Sequence, residues 1–266
     1  MLEGFLHHKK EEVEYLCAMM VGPVTIDVAL WEGTKAGSVK VLKTTSKSYQ
    51  GEWKAAVDAA DQGITEIESA LPEGHELTSV VFGLFPDWLT EDRIKEHHLK
   101  QLKELTTALS LKPRGFVEIP IAIAHLLQKD EGTAQTVILI GIEGTHFVIS
   151  LFKIGKMVHS ITQVRSESIS QDVESALTSF TDVEVLPSRV LIYGSGDLEI
   201  IKTALLNHPW QKKANFLHFP KIEILASDFG VKAVAVASGS EIVYQSPEET
   251  TVSESKEQEI EEREAP

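Results

Sequence analysis

No part of this sequence leaves fewer options than the run from Thr136 to Phe152, TVILIGIEGTHFVISLF. Two apolar segments, Val137–Ile140 and Phe147–Phe152, flank Gly141-Ile142-Glu143-Gly144-Thr145-His146. Val, Ile and Phe favour a pleated, buried backbone, and Gly with Thr at the break allows a tight reversal, so the stretch predicts a β-hairpin. A turn of that composition can also aim backbone N–H groups at an anion. Taken alone, an ordinary buried hairpin accounts for it. What lies before and after decides whether it does more.

Upstream, Tyr15–Val21 and Val24–Trp31 are strand-like runs broken at Gly22-Pro23, and Ser38–Leu42 follows a second turn at Glu32–Gly37. That is a three-strand meander. Gln50–Leu71 then carries Trp53, Ala56, Val57, Ala60, Ile64, Ile67 and Leu71 near helical spacing, and Pro72-Glu73-Gly74 ends it. Leu77–Phe85 reads as a strand. Thr90 reads as the N-cap of a helix bearing Ile94, Leu99, Leu102, Leu105 and Leu109, which Lys112–Gly115 closes. Phe116–Glu118 predicts a short strand and Ile119–Gln128 an apolar helix with Pro120 in its first turn.

Downstream of the central hairpin the pattern repeats. Met157–Val164 is a third strand, Ser170–Phe180 a helix, and Arg189–Tyr193 a buried strand running into Gly194-Ser195-Gly196. Asp197 then caps a helix through Leu206, Phe216–Phe219 and Ile222–Leu225 read as short extended pieces, and Val231–Ser238 as a close-packed helix. The class is α/β, in two similar halves.

Composition excludes several functions. The 266 residues carry a net charge of −15, and Lys and Arg do not cluster, so nucleic acid is not an expected partner. A single cysteine, Cys17, rules out an internal disulfide or thiolate metal site. No run of about eighteen apolar residues is present, so no direct membrane insertion is expected, and a cytoplasmic protein is the default. From Ser246 onward eight Glu stand against Lys256 and Arg263, which predicts an acidic, solvated and disordered tail.

Two halves that each open with a glycine-turned meander resemble the actin-like ATPase superfamily, over roughly Tyr15 to Glu241. The resemblance rests on Gly22-Pro23-Val24-Thr25, Gly141–His146 and Gly194-Ser195-Gly196. It implies a two-lobed, ribonuclease H-like fold with mixed, five-stranded-type sheets. Within the superfamily the chain is similar to the pilus-assembly family PilM and the cell-division family FtsA. Those families carry a small subdomain inserted in the first lobe, which Ser79–Leu109 matches in size and pattern. The implied organisation is an extension over 1–13, lobe one over 14–128 with the insert at about 77–113, lobe two over 129–242, and the tail over 243–266.

By the same resemblance Gly22, Thr25, Gly144, Thr145, Gly194, Ser195 and Gly196 would contact a nucleotide. Relatives place an aspartate in each phosphate loop; here Met20 and Gly141 stand in those places, and Glu143 falls where a loop glycine would meet phosphate. A carboxylate there opposes an anion. The expectation is therefore no catalytic residue, no metal, and either no cofactor or ATP. The implied function is a scaffold binding a partner's peptide, in pilus assembly or cell division; an active Mg-ATP-dependent ATPase or kinase is the alternative. Phe85, Trp88 and Leu89 are the implied peptide contacts, Trp88 as an exposed anchor unless it merely staples the next helix. A membrane-anchored partner would hold the protein at the membrane's inner face, and polymerising relatives make self-association an expectation. The histidines, and Ser195 as a nucleophile, are better read as structural.

Overall fold

The computed structural model describes residues 13–34, 39–90, 93–210, 214–239 and 244–245. Among these residues thirteen strands and six α-helices build two mixed sheets and a separate two-stranded hairpin. In the first sheet β1 (Val13–Val21) pairs antiparallel with β2 (Thr25–Thr34), and β2 with β3 (Val39–Ser48). On its other side β1 runs parallel to β4 (Ser79–Leu84), which runs parallel to β7 (Lys112–Glu118). The second sheet repeats this order. Its centre is β8 (Val137–Glu143), flanked by antiparallel β9 (His146–Lys153) and parallel β11 (Arg189–Gly194), with β10 (Lys156–Val164) and β12 (Lys221–Ile224) at the edges.

Helices follow from spacing and cover the sheets. α1 (Trp53–Glu68) buries Ala56, Ala60, Ile64 and Ile67, one stripe of its surface, against β2 and β3. α3 (Ile119–Glu131) and α6 (Phe229–Ala237) pack on each other. α6, from the second half of the chain, also lies against β1, so one apolar core runs through both lobes and includes Met19, Val81, Leu139, Leu191 and Val234. β8 explains the continuous apolar run of the central stretch. Val137 and Leu139 face that shared core, whereas Ile138, Ile140 and Ile142 face a second one under α4 (Ile169–Thr178) and α5 (Leu198–Leu206). Both faces of the strand are buried, so its sequence shows no polar alternation.

Several local readings change in three dimensions. β3 extends to Ser48, well past Leu42, because pairing with β2 satisfies a polar segment that has no apolar signal of its own. Thr90 caps no helix: Leu89–Thr90 (β5) and Arg93–Ile94 (β6) pair with each other, and α2 (Glu96–Ala108) starts after Lys95. Lys112–Gly115 is strand, held by β4 across a register shift at Val80–Val81. What separates β4 from β7 is a 3₁₀ turn at Pro86–Trp88, the β5–β6 hairpin and α2, while β4 and β7 themselves are neighbours in the lobe's own sheet. Of the segment read as tail, Tyr244–Gln245 (β13) forms a strand on β7, and positions 246–266 lie outside the described residues, as do positions 35–37 of the turn expected at Glu32–Gly37.

The Asp197 cap is in place, its carboxylate accepting from the Ile200 N–H at 3.2 Å. Asp197→Ala is expected to cost about 1 kcal/mol, as lost N-caps do, measured as a shifted urea midpoint at unchanged slope. Among the described residues no helix is long and apolar enough to cross a membrane.

Candidate functional site

The two central hairpins meet turn to turn. In the first, Gly22 N–H donates to Thr25 O at 2.9 Å, leaving Pro23-Val24 as the turn. In the second, Glu143 pairs with His146 around Gly144-Thr145, so Gly141, Ile142 and Glu143 are strand rather than loop. Glu143 and Gly22 therefore hold equivalent places at the ends of the two central strands. A step further in, Met20 pairs with Asp27 and Gly141 with Val148, which makes Met20 and Gly141 equivalent too.

The Glu143 side chain fills the space between the turns. A methyl group on Gly22 would lie 2.8 Å from Glu143 Oε2, and one on Gly194 3.0 Å from Oε1. Ser195 Oγ donates to Glu143 Oε2 at 3.3 Å, and Ser195 N–H to Ile142 O at 2.8 Å. The glycines of the strand–helix junction thus come to the same point as the two hairpin turns. Gly144 closes the contact from the other side, where a methyl group would sit 3.2 Å from Val24 Cγ1. Tyr49 Oη donates to Gly22 O at 2.6 Å and fixes the first turn.

Only 4% of Glu143 is exposed, and burial, reinforced by the nearby Asp27 charge, pushes its carboxyl up to about 8 while the Ser195 hydrogen bond opposes this. Burial raises Asp27 as well, against a hydrogen bond from Ser46. This alters the expected electrostatics. Near neutral pH Glu143 is mostly protonated, so it obstructs an anion first by volume and only at higher pH by charge. Tyr193 obstructs the neighbouring place. Its ring lies where a side chain at Gly141 would be, 2.5 Å from a methyl group there, and its buried hydroxyl has no hydrogen-bond partner among the described residues. Met20 fills the equivalent place in lobe one, packed on Gly83 and Gly230.

What remains open is a cleft of about 480 Å³ lined by Thr25, Asp27, Thr44, Ser46, Ser195 and Asp228 among others, with no Lys or Arg among the described residues of its wall. Thr25 and Asp27 share a face of β2, and β3 supplies the hydroxyls. Sequence reasoning passed over Asp27 and the β3 residues. The available signal was a polar residue at alternate positions in an otherwise apolar strand.

Of the residues expected at a nucleotide, Gly22, Thr25, Gly144, Gly194, Ser195 and Gly196 converge here. Thr145 does not line the cleft: it is exposed, and its hydroxyl lies 3.2 Å from His146 Nδ1. A Mg-triphosphate does not fit these residues. Its phosphates would need the volume Glu143 holds, and among the described residues no Lys or Arg lines the inner cleft to pair them.

Phe85, Trp88 and Leu89 lie elsewhere, in the segment after β4. Trp88 is only 7% exposed and stacks on His98 of α2 with centroids 4.1 Å apart. It staples the helix instead of projecting as an anchor, and Phe85 is buried with it. Leu89 pairs with Ile94, and Ile94 borders an apolar groove of about 270 Å³ with Phe82, Leu99, Leu102, Pro113 and Phe116.

Two lobes of the same strand order around a cleft at their central hairpins define the actin-like ATPase fold, and the chain has it. It is similar to the ethanolamine utilization protein EutJ from Carboxydothermus hydrogenoformans, with a TM-score of 0.56 at 13% identity over 84% of this chain and 90% of that one. The chain in a PilM–PilN type IV pilus biogenesis complex gives a TM-score of 0.59 at 10% identity over 85% and 98%. A ROK-family glucokinase from Streptomyces griseus, in complex with glucose and AMPPNP, gives 0.50 at 13% identity over 85% and 98%. No protein-family model and no curated protein matches the sequence.

Proposed function

We propose that this chain is a non-catalytic actin-like scaffold that holds a peptide segment of a partner protein, as a PilM-like adaptor would. The observation that carries this reading is Glu143, whose carboxyl takes the volume between the two turns where a nucleotide's phosphates would lie. The similarity to PilM in a complex with PilN supports a partner-holding role. The apolar groove bordered by Ile94, Leu99, Leu102 and Phe116 suits an amphipathic segment, which would bury its apolar side there.

Calorimetry of ATP with and without Mg²⁺ tests the first half. No heat at millimolar nucleotide is expected, and tight Mg-dependent binding would restore the enzyme. A displayed peptide library tests the second half. Selected peptides are expected to carry spaced apolar anchors and to lose at least about tenfold in affinity on Ile94→Lys, as when an interface core receives a charge. Peptides indifferent to that change would place the partner elsewhere.

A further inference from the structure

Beside the closed phosphate space the fold leaves a cation unmatched. Arg165 follows β10 and buttresses the second hairpin: its backbone N–H donates to Thr145 O at 2.7 Å and its Nη1 to Gly144 O at 3.2 Å. Its Nε is buried with no hydrogen-bond partner. Among the described residues Arg165 makes no ion pair, whereas Arg189 grips Glu131 through both terminal nitrogens and Arg114 pairs with Glu14. The buried Nε is beyond a ligand's reach, but Arg165 lines an open cleft, and no described carboxylate pairs its charge. The guanidinium fork suits an oxyanion, carboxylate or phosphate.

The surroundings say what else such a ligand would carry. Arg165 lines an outer cleft of about 550 Å³ with Thr25, Ser48, Tyr49, Gln50 and Ser195. Thr25, Ser48, Ser195 and Gly196 also line the inner cleft, so the two are continuous. In the inner part Thr44 Oγ1 donates to Asp228 Oδ2 at 3.2 Å, Ser46 bonds Asp27, and Asp228 also pairs with Lys232 at 2.7 Å, so these groups meet a ligand chiefly as acceptors. Their oxygens can accept from the hydroxyls of a sugar-like body, and Asp27, paired with no described cation, discourages a second anionic group.

We propose that this cleft binds a hydroxyl-bearing organic anion, its single anionic group held by Arg165 at the rim and its uncharged body in the inner cleft. The site is distinct from the peptide groove and does not depend on the scaffold reading. It shares with that reading only the filled floor that excludes a triphosphate.

Calorimetry on the full chain tests this with ribose 5-phosphate as the phosphate probe, gluconate as the carboxylate probe, and ribose and inorganic phosphate as controls. One of the two anions is expected to bind at least about tenfold tighter than either control, and Arg165→Gln is expected to remove that advantage, as loss of a charge-assisted contact does. Arg165→Lys keeps the charge and the backbone bond. It serves if the glutamine chain folds poorly, and it is expected to bind between the two. The proposal is overturned if neither anion exceeds the controls. It is also overturned if the Arg165 variants melt earlier yet bind unchanged, because Arg165 would then only brace the hairpin. Tight Mg-ATP binding in parallel would show the floor to be open and would defeat the scaffold reading and this proposal together.

Discussion

Glu143→Gln is expected to hold its stability across the neutral range while the parent chain weakens there. In the folded chain the Glu143 carboxyl is raised to about 8 from an ordinary value of 4.5. Between those values the folded state keeps a proton that the unfolded chain releases. The folded state then binds more protons, so stability falls as pH rises. The contribution is fully present below about 4.5 and is lost as pH climbs through about 8. At about 1.4 kcal/mol per pH unit, a shift of that size bounds the loss at roughly 5 kcal/mol. Asp27, raised by its own burial, acts in the same direction. Glutamine keeps the volume and the Ser195 contact but has no proton to lose. Urea denaturation of both chains at a series of pH values checks this, and a parent curve as flat as the variant's would mean that water reaches Glu143.

Gly194→Ala is expected to destabilise the chain by several kcal/mol, enough to compromise folding. The residue sits at φ +110, a conformation open to glycine and strained for any L side chain. Space forbids it as well. A methyl group would lie 2.1 Å from Ile142 O and 2.9 Å from Ile142 N, backbone atoms of the neighbouring strand β8. Neither can yield without parting β8 from β11 at the centre of the second sheet. Backbone strain and a buried clash are among the few mechanisms that give such large single-site effects. Thermal and chemical unfolding measure it, with Gly196→Ala as the comparison. Gly196 also has positive φ, at +92, but no atom stands within 4 Å of its missing methyl, so its cost is expected to be strain alone. Equal losses at the two sites would show that the β8–β11 contact is looser than its geometry.

These two positions also show how much of the site could be read from the chain. Glycines at 22, 144, 194 and 196 mark where backbones turn or approach closely, and a resemblance to the actin-like superfamily puts three such places in order. Glu143 was visible as a carboxyl in the wrong place. Its protonation state was not, because that depends on burial under Gly22, Gly194 and Ser195, the last 52 residues away. Tyr193 was legible only as the end of an apolar strand. That its ring replaces the missing side chain of Gly141 follows from the parallel pairing of β11 with β8. Trp88 misled for a similar reason: a Pro-Asp-Trp turn looks exposed locally, and its stack on His98 and its place in the shared core hide it.

The sequence by itself determined the strands and helices whose faces are uniformly apolar, the halves they repeat, and the acidic balance that disfavours nucleic acid. Those properties are local, since periodicity records which side of an element avoids water. The tertiary structure decided which elements share a core, as when α6 of the second half packs on β1 of the first, and which side chain fills which gap. It also decided the fate of the cleft. Periodicity does not record what lies across from a residue, and burial, the main cause of the Glu143 shift, comes from groups that the chain brings together only when it folds.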